Sequence, residues 1–435
     1  MKLMTQKLYY ITPPLRCQTN NLFILAPRYY YNNTAVKFKQ VLGLNPNVFF
    51  LGLVSFLTDV SSEIIFTLLP LFLLNVLGAG TAVIGLIEGV ADTTTSLFRI
   101  FSGWLSDRMG KRKPLTVLGY GLSTVAKPFM YLASTWGMAL GVRFCDRLGK
   151  GVRTAPRDAL VADSVTPKQR GKAFGLHRAL DTFGAVVGIA SAAVVVFLWQ
   201  GESLKLTLAT YHQLVLVGII PAAVAMLFFF FVREPGRKAA GQSPAAPGGI
   251  KYLASGLERR FWIFLGIVFL FTLGNSSDAF LILRAQNLGN SVLTILLMLV
   301  LFNFVYASLS MPAGILSDRL GRKRLILFGW LIYALVYLGF ALASVSWQIW
   351  LLFGLYGVYY GLAEGVSRAF VADLVPEEKR GTAYGLFHGV VGVTLLPASL
   401  IAGYLWQWVN PAAPFFFGAA MASLAMLGFL VLLRE

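Results

Sequence analysis

The stretch Gly103-Trp-Leu-Ser-Asp107-Arg-Met-Gly110-Lys-Arg-Lys113 has a second, closely similar copy in this sequence. It returns about 210 residues later as Gly314-Ile-Leu-Ser-Asp318-Arg-Leu-Gly321-Arg-Lys-Arg324. A second pair of matching segments, Val161-Ala-Asp163 and Val371-Ala-Asp373, has the same spacing. Two repeats at one spacing indicate internal duplication, so we expect the chain to fold as two equivalent halves.

The composition around these repeats is that of a membrane protein. Of the 435 residues, 57% are hydrophobic and only 13% are charged, whereas a soluble domain carries roughly 25% charged residues. Apolar runs recur from about Val48 onward, and each approaches the roughly 20 residues with which an α-helix crosses the hydrocarbon core. We count about twelve such runs. The sequence therefore predicts an all-α membrane protein with twelve transmembrane helices in two pseudo-symmetric six-helix bundles.

The basic residues indicate the orientation of these helices. The formal net charge is +18, but Lys and Arg fall mainly in short loops on alternate sides of the apolar runs, which is the positive-inside pattern. The intervening loops offer only Lys205. The charge is therefore interpreted as a topology signal and not as a nucleic-acid-binding surface. We expect a multi-pass protein with both termini cytoplasmic, in the plasma (inner) membrane if the source is bacterial.

Several other chemistries are disfavoured. Cys17 and Cys145 are the only cysteines, and there are three histidines, so neither a disulfide framework nor a soft-metal cluster is expected. No GxxxxGK[ST] phosphate-binding loop occurs, which argues against an ATP-driven pump. The loops show no arrangement of nucleophile and base or of metal ligands. We expect no enzyme activity, no cofactor and no metal, and a chain that works as a monomer.

The longest gap between apolar runs divides the chain near its middle. It spans residues 233–260 and is rich in Pro, Gly and Ala at its centre, which is typical of a flexible cytoplasmic linker. Six apolar runs then fall in residues 46–232 and six in residues 261–435. Residues 1–45 contain six Lys or Arg and no Asp or Glu. We interpret them as a disordered cytoplasmic extension; an organelle targeting segment and an over-long start assignment are the alternatives.

The repeated segment resembles signature motif A of the major facilitator superfamily. That motif lies between helices 2 and 3, and it is copied here between helices 8 and 9. The resemblance covers about residues 46–433 and implies two six-helix halves that move a small solute by alternating access. It also implies a gate between the halves, formed by both copies. The gate residues are Gly103, Asp107, Arg108, Gly110, Arg112, Gly314, Asp318, Arg319, Gly321 and Arg322.

The resemblance implies a role for the carboxylates of this gate. Asp107 and its counterpart Asp318 are expected to meet the positive N-terminal end of a helix in the other half, where a carboxylate gains roughly 0.3 to 1 kcal/mol. A charge relay at the same end is expected to comprise Asp163, Arg170, Asp373 and Arg380. The basic residues of the motif have an alternative interpretation as orientation signals alone.

Other segments say little about the subgroup of this superfamily or the direction of transport. Thr58-Asp-Val-Ser-Ser-Glu63 and Asp146-Arg-Leu-Gly-Lys-Gly-Val-Arg-Thr-Ala-Pro-Arg-Asp158 are similar to a bacterial subgroup whose substrates are not assigned. Gly184-Ala-Val-Val-Gly188 resembles the glycine-rich antiporter motif. However, Ile189 follows where drug antiporters have Gly-Pro, so export is only weakly indicated.

Acidic side chains inside the apolar runs are candidates for proton coupling. Asp59 and Glu63 stand one helical turn apart on the first helix, so they share a face. An ionised group at the bilayer centre costs about 2.5 to 3.5 kcal/mol, so that face is expected to point inward. Ser61-Ser-Glu63 aligns with Ser276-Ser-Asp278 in the other half. We expect Asp59, Glu63 and Asp278 to bind and release protons; permanently paired structural carboxylates are the alternative.

The fourth helix carries an unusual number of charges, including Arg143, Arg147 and Lys150. Pairing with acids on neighbouring helices is one interpretation. The other leaves Arg143, Arg147 or Lys127 facing a cavity, where the planar fork of a guanidinium binds an anionic group. The candidate cavity residues are Asp92, Lys127, Arg143, Asp146, Arg147, Arg178, Asp181, Tyr360, Glu364 and His388.

The resemblance and these charges together predict a secondary active transporter of a small solute. We expect protons as the coupling ion and an organic anion or a zwitterion as the cargo. An exporter of hydrophobic or cationic drugs, attracted by Asp59 and Glu63, is the alternative within transport. A membrane receptor that no longer transports is the remote alternative, and the intact motif in both halves argues against it.

Overall fold

A computed structural model describes residues 43–166, 169–234, 257–376 and 380–433. Most of the predicted N-terminal extension and the centre of the predicted linker lie outside these ranges. The helices of the first half are α1 Pro46–Phe66, α2 Leu69–Asn75, α3 Thr81–Met109, α4 Lys113–Ala126, α5 Trp136–Asp163, α6 Arg170–Gln200 and α7 Leu208–Phe228, with a 3-10 helix, Lys127–Leu132, after α4. Those of the second half are α8 Arg259–Gly274, α9 Ala279–Asn287, α10 Val292–Leu320, α11 Arg322–Leu342, α12 Ser346–Asp373, α13 Arg380–Trp408 and α14 Ala413–Leu432.

These helices form the predicted twelve transmembrane units in two bundles, although three of the units are interrupted. Pro70 lies in the first turn of α2 and Pro128 in the first turn of the 3-10 helix. Proline has no backbone N–H to donate to the preceding turn, so each proline follows a break. The third break, between α8 and α9, follows Gly274.

The charged helix α5 is held against α4 by two glycines. A Cβ on Gly119 would lie 2.6 Å from the Gly149 carbonyl oxygen, and a Cβ on Gly149 would lie 2.5 Å from the Gly119 carbonyl oxygen. Only glycine permits this approach of the two backbones. The contact keeps α5 inside the bundle, where its charges are shielded from lipid.

The two halves are held together most closely at one end of the molecule. We call the end that adjoins the basic loops the basic end, and the other the opposite end. Near the opposite end, a Cβ on Gly85 of α3 would lie 2.2 Å from the Ser399 carbonyl oxygen of α13. Nearby, the Thr81 hydroxyl donates to the Gly403 carbonyl at 3.2 Å. Backbone contact between α3 and α13 therefore closes the opposite end.

The halves diverge toward the basic end. A Cβ added to Gly175 of α6, Gly314 of α10 or Gly385 of α13 would meet no atom of the described residues within 4 Å. These glycines lie in the parts of their helices nearest to the basic loops. Along α13, a Cβ on Gly392 would lie 2.1 Å from the Ser96 side chain of α3, whereas one on Gly389 would lie 3.9 Å from Ile100. The described parts of the two halves therefore separate toward the basic end.

Candidate functional site

A cavity of about 440 Å³ lies between the two halves. Its surface is formed by α1, α3, α5 and α6 of the first half and by α9, α10 and α12 of the second half. Seven acidic and four basic side chains line it: Asp59, Glu63, Glu88, Asp92, Asp146, Asp278 and Glu364, and Arg143, Arg147, Lys150 and Arg178. A second lobe of about 350 Å³ shares Asp92, Asp278, Tyr360 and Glu364, and adds Arg368 and His388.

Most of the predicted cavity and proton-coupling residues lie on these two surfaces, but Lys127 and Asp181 do not. Lys127 is fully buried inside the first half. Its ammonium donates to the Ser61 hydroxyl at 2.8 Å, so it is held by α1 and does not face the cavity. Asp181 accepts a hydrogen bond from the Ser55 hydroxyl at 2.5 Å, behind the cavity surface.

Some charged side chains of α5 pair with groups on neighbouring helices, which is one of the two interpretations of its sequence. Arg143 donates to Glu88 at 2.9 Å, and both side chains are nearly inaccessible to solvent. Asp146 accepts a hydrogen bond from Ser123, with the Arg147 guanidinium 3.9 Å away. Glu88 is missing from the cavity residues predicted from the sequence. The sequence nevertheless indicates its position, since Glu88 precedes the predicted cavity residue Asp92 by four residues and so shares a face of α3.

Four carboxyl groups on the cavity surface lack a basic partner. Among the residues that the structure describes, no Lys, Arg or His nitrogen lies within 4 Å of Asp59, Glu63, Asp92 or Asp278. Two of the four accept a neutral hydrogen bond. The Thr67 hydroxyl donates to Glu63 at 2.6 Å, and the Tyr356 hydroxyl donates to Asp278 at 2.7 Å. These carboxyls belong to both halves, so charge on each half faces the same space.

Asp59 has an acidic neighbour instead of a basic one. The Asp181 carboxyl of α6 is the charged group that acts on it most strongly. Two neighbouring carboxylates repel each other unless a proton or a cation lies between them. The contact between α1 and α6 at this pair is therefore favourable only when a proton or a cation is bound there.

Lys150 lies on the cavity surface without a partner among the described residues. Its ammonium has no carboxylate within 4 Å and donates no hydrogen bond in these ranges. Asp59 and Asp181 are the acidic groups whose charges act on it most strongly. An ammonium group that has no ion pair among the described residues can bind an incoming anionic group without first breaking one.

A polar bridge connects the two halves across the cavity. The Arg178 guanidinium of α6 donates to the Tyr306 hydroxyl of α10 at 3.2 Å. Tyr306 in turn donates to Glu364, which also pairs with Arg368. Arg178 lies 3.7 Å from Asp181 as well. Asp181 of the first half is thereby linked, through Arg178, to Tyr306 of the second half.

Aromatic rings form the apolar side of the cavity in the second half. The Phe302 ring centroid lies 5.4 Å from that of Tyr360, and Tyr306 lies 5.6 Å from Tyr360. Tyr356, which holds Asp278, stacks on Phe302 at 5.4 Å. These edge-to-face and stacked pairs keep the rings in fixed positions. The surface offers apolar contact directly beside the carboxyls.

The gate motif is described only in part. Gly110 and Gly321, which end α3 and α10, have φ values of 67° and 90°. Residues with a side chain rarely adopt such values, which explains why the motif has glycine at both positions. The side chains of Asp107 and Asp318 lie outside the described part of the chain, so their expected helix contacts stay predictions.

The relay residues have partners within their own half. The Arg112 guanidinium lies 3.3 Å from Asp163, and Arg322 lies 2.7 Å from Asp373. The side chains of Arg170 and Arg380, the partners expected from the sequence, lie outside the described residues. The two acids therefore tie the start of α4 to α5, and the start of α11 to α12.

Comparisons with known proteins agree with this architecture. The family model of the Major Facilitator Superfamily matches residues 51–283 and 263–435. An uncharacterized MFS-type transporter of Methanocaldococcus jannaschii is 38% identical over 385 residues, which cover 87% of this chain and 93% of that protein. The class E tetracycline resistance protein of Escherichia coli is 34% identical over 119 residues, 27% of this chain and 29% of that one. The crystal structure of the nucleoside transporter NupG has a TM-score of 0.74 at 14% identity and covers 89% of this chain and 99% of that one.

Proposed function

Because this chain belongs to the major facilitator superfamily, we propose that it is a proton-coupled secondary transporter of a small zwitterionic or anionic solute. It is an integral multi-pass membrane protein with the two-bundle fold of that family. Alternating access would expose the central cavity first to one side of the membrane and then to the other.

The proposal of proton coupling is supported mainly by the four carboxyls that have no basic partner in the described ranges. Burying a carboxylate away from water is unfavourable unless it is paired, hydrogen-bonded or protonated. When the halves close over the cavity, water leaves, and a proton is the smallest group that neutralises each carboxyl. Proton binding is thereby connected to closure, which is the requirement for coupling.

The charges around the cavity favour a cargo that carries both signs. Lys150 and Arg147 can bind an anionic group, since Lys150 has no partner in the described residues and the Arg147 Nε atom donates no hydrogen bond. The seven acids exceed the four bases on the surface, so a purely anionic cargo would meet net repulsion. A zwitterion would place its anionic group toward α5 and its cationic group toward Glu63 and Asp278.

The orientation of the chain follows from its basic loops. By the positive-inside rule, the basic end and both termini are cytoplasmic, so the cavity opens inward in the present conformation. The outward-open conformation requires the basic ends of the halves to meet. We assign this closure to Asp107 and Asp318, which would then meet helix N-termini of the opposite half.

Export of cationic, partly apolar drugs is a second candidate function. It is favoured by the excess of acids over bases in the cavity, and by the aromatic surface beside Asp278. The short stretch of similarity to a tetracycline resistance protein agrees with it. In that case Lys150 would not contact the cargo.

Ligand-induced thermal shifts on purified protein, followed by transport in proteoliposomes, would test the proposal. A ligand present at 100 times its dissociation constant adds roughly 2.7 kcal/mol of stability. We expect zwitterions to stabilise more than organic cations or simple anions of equal size, and an imposed pH gradient to drive their accumulation. Stabilisation by cations alone would favour the drug exporter, and uptake that ignores the pH gradient would exclude proton coupling.

A further inference from the structure

Three aromatic rings of the second half form a corner on the surface of the central cavity. We call it the aromatic corner; it consists of Phe302, Tyr306 and Tyr360, which all line that cavity. We propose that the aromatic corner binds a quaternary ammonium group of the cargo, so that the cargo is a zwitterion of the betaine class. The proposal rests on the proposed transport function and names the chemistry of the cationic group.

The rings of the aromatic corner lie in two nearly perpendicular planes. The planes of Phe302 and Tyr306 differ by 15°, whereas Tyr360 is turned by 85° from Phe302 and by 70° from Tyr306. The Tyr360 centroid lies 5.4 and 5.6 Å from the other two. A ring attracts a cation that lies over its face within about 6 Å of the centroid. Rings this close together and in two planes allow one cation to approach more than one of them.

The carboxyls beside the aromatic corner already accept hydrogen bonds. Both Glu364 oxygens accept one, from the Tyr306 hydroxyl and from the Arg368 guanidinium. One Asp278 oxygen accepts a hydrogen bond from the Tyr356 hydroxyl at 2.7 Å. A primary ammonium group has three N–H donors that need acceptors, whereas a quaternary ammonium group has none. A positive charge without donors therefore suits this corner.

The charge on this side of the cavity also favours a cation. All four basic side chains that line the central cavity belong to α5 and α6 of the first half, whereas the described charged residues of the second half that line it are Asp278 and Glu364. Arg178 of α6 meets the corner at the Tyr306 hydroxyl, and the Asp181 carboxylate lies 3.7 Å from its guanidinium. The aromatic faces are thus accompanied by acids of their own half.

The internal repeat places a cation of the first half opposite the aromatic corner. At the spacing of 210 residues that relates Asp163 to Asp373, Lys150 corresponds to Tyr360. Both residues line the central cavity, one from each half. Pseudo-equivalent residues of two repeats lie on facing sides of a site at the interface between the repeats. A betaine with its anionic group at Lys150 and its quaternary ammonium group at Tyr360 would therefore contact both halves.

Isothermal titration calorimetry on the purified full-length protein can test this proposal. Two pairs of probes with equal carbon chains would be compared: glycine with glycine betaine, and 4-aminobutanoate with its N-trimethyl derivative. A fifth probe, 3,3-dimethylbutanoate, has the shape of glycine betaine without the positive charge. We expect at least one trimethylated zwitterion to bind about tenfold more tightly than its primary amine, which is the size of a partly desolvated cation–π interaction.

Three variants test whether the preference comes from the ring of Tyr360. Tyr360→Leu should abolish the tenfold preference, whereas Tyr360→Phe, which keeps the ring and loses the hydroxyl, should retain it. Tyr404→Leu changes a tyrosine of α13 that is 56% exposed and lines neither lobe of the cavity. This variant is the control, and it should retain the preference.

Each of the other outcomes would overturn the proposal. Equal or tighter binding of the primary amines, by a protein that still accumulates them along a pH gradient, would leave the transport function standing without the quaternary group. Equal binding of 3,3-dimethylbutanoate and glycine betaine would reduce the contact to apolar packing. An unchanged preference in Tyr360→Leu, or an equal loss in Tyr404→Leu, would remove the aromatic corner from recognition. Binding of organic cations but of no zwitterion would contradict the proposed cargo and this inference together.

Discussion

Replacing Glu63 with glutamine separates proton coupling from substrate binding. Glu63 lies on the cavity surface, accepts a hydrogen bond from the Thr67 hydroxyl at 2.6 Å, and has no basic group within 4 Å in the described part of the chain. Glutamine keeps the shape and an oxygen acceptor for Thr67, but it cannot bind a proton. The loss from replacing a charged acceptor by a neutral one is roughly 1 kcal/mol, so the Glu63→Gln protein should fold and insert normally.

The size of the transport effect follows from the energy of the proton gradient. One pH unit is worth 1.36 kcal/mol per proton, which corresponds to tenfold accumulation. For one proton per solute and no membrane potential, the wild type can therefore concentrate its cargo up to about tenfold in proteoliposomes with a gradient of one unit. If Glu63 is the coupling group, the Glu63→Gln protein should only equilibrate its cargo, at a ratio near one.

The assay needs a second measurement that distinguishes loss of coupling from misfolding. Counterflow exchange without a pH gradient should persist in Glu63→Gln, because Asp278 still faces the cationic group of the cargo and the gate is unchanged. Glu202→Gln, at an exposed position outside the cavity, is the matched control and should retain tenfold accumulation. Undiminished pH-driven accumulation by Glu63→Gln would refute the coupling role and leave Glu63 as a structural residue.

Three further substitutions test other parts of the argument. Asp107→Asn should slow transport while melting temperature and membrane insertion stay as in the wild type, because this carboxylate is expected to act in closing the basic end; wild-type transport rates would contradict the gate role. Lys150→Gln should weaken binding of a cargo with an anionic group by roughly 10- to 100-fold, the value of a charge-assisted hydrogen bond, whereas Lys205→Gln outside the cavity should not; equal binding constants from calorimetry would remove Lys150 from the site. Gly119→Val should destabilise the first half by roughly 1 to 3 kcal/mol, since its Cβ would meet the facing α5 carbonyl at 2.6 Å. Gly266→Ala, where a Cβ meets nothing within 4 Å, is the control, and equal melting temperatures for the two variants would contradict the packing argument.

The fold could be predicted because its signals are local and repeated. Apolar runs of membrane length, alternate basic loops and a duplicated motif each appear directly in the sequence. The breaks were harder to place, since the break after Gly274 follows no proline. Glu63 and Asp278 align in sequence, yet Glu63 lies within α1 whereas Asp278 lies at the N-terminal end of α9. Alignment gave the equivalent positions but not the local conformation.

The partners of the charged side chains could not be predicted from one sequence. The pairs Arg143–Glu88 and Arg178–Tyr306 join residues that are 55 and 128 positions apart, and nothing local fixes them. The sequence leaves pairing and free charge open as alternatives for α5, and the helix contains both. Arg143 is paired, whereas Lys150 has no partner within the described ranges. The rotation of α5 decides between the two, and that rotation depends on the contact between Gly119 and Gly149.

The contact between Gly85 and Ser399 also bears on the balance between conformers. The methyl group of an alanine at Gly85 would lie 2.2 Å from a backbone oxygen of the other half, and no change of rotamer relieves that overlap. The strain exists only while the opposite end is closed, so it does not disturb the packing within either half. A penalty of roughly 1 to 3 kcal/mol would shift the ratio of the two conformers by about 5- to 150-fold. A single methyl group at this crossing would thus disfavour closure and increase the population of the conformer whose opposite end is open.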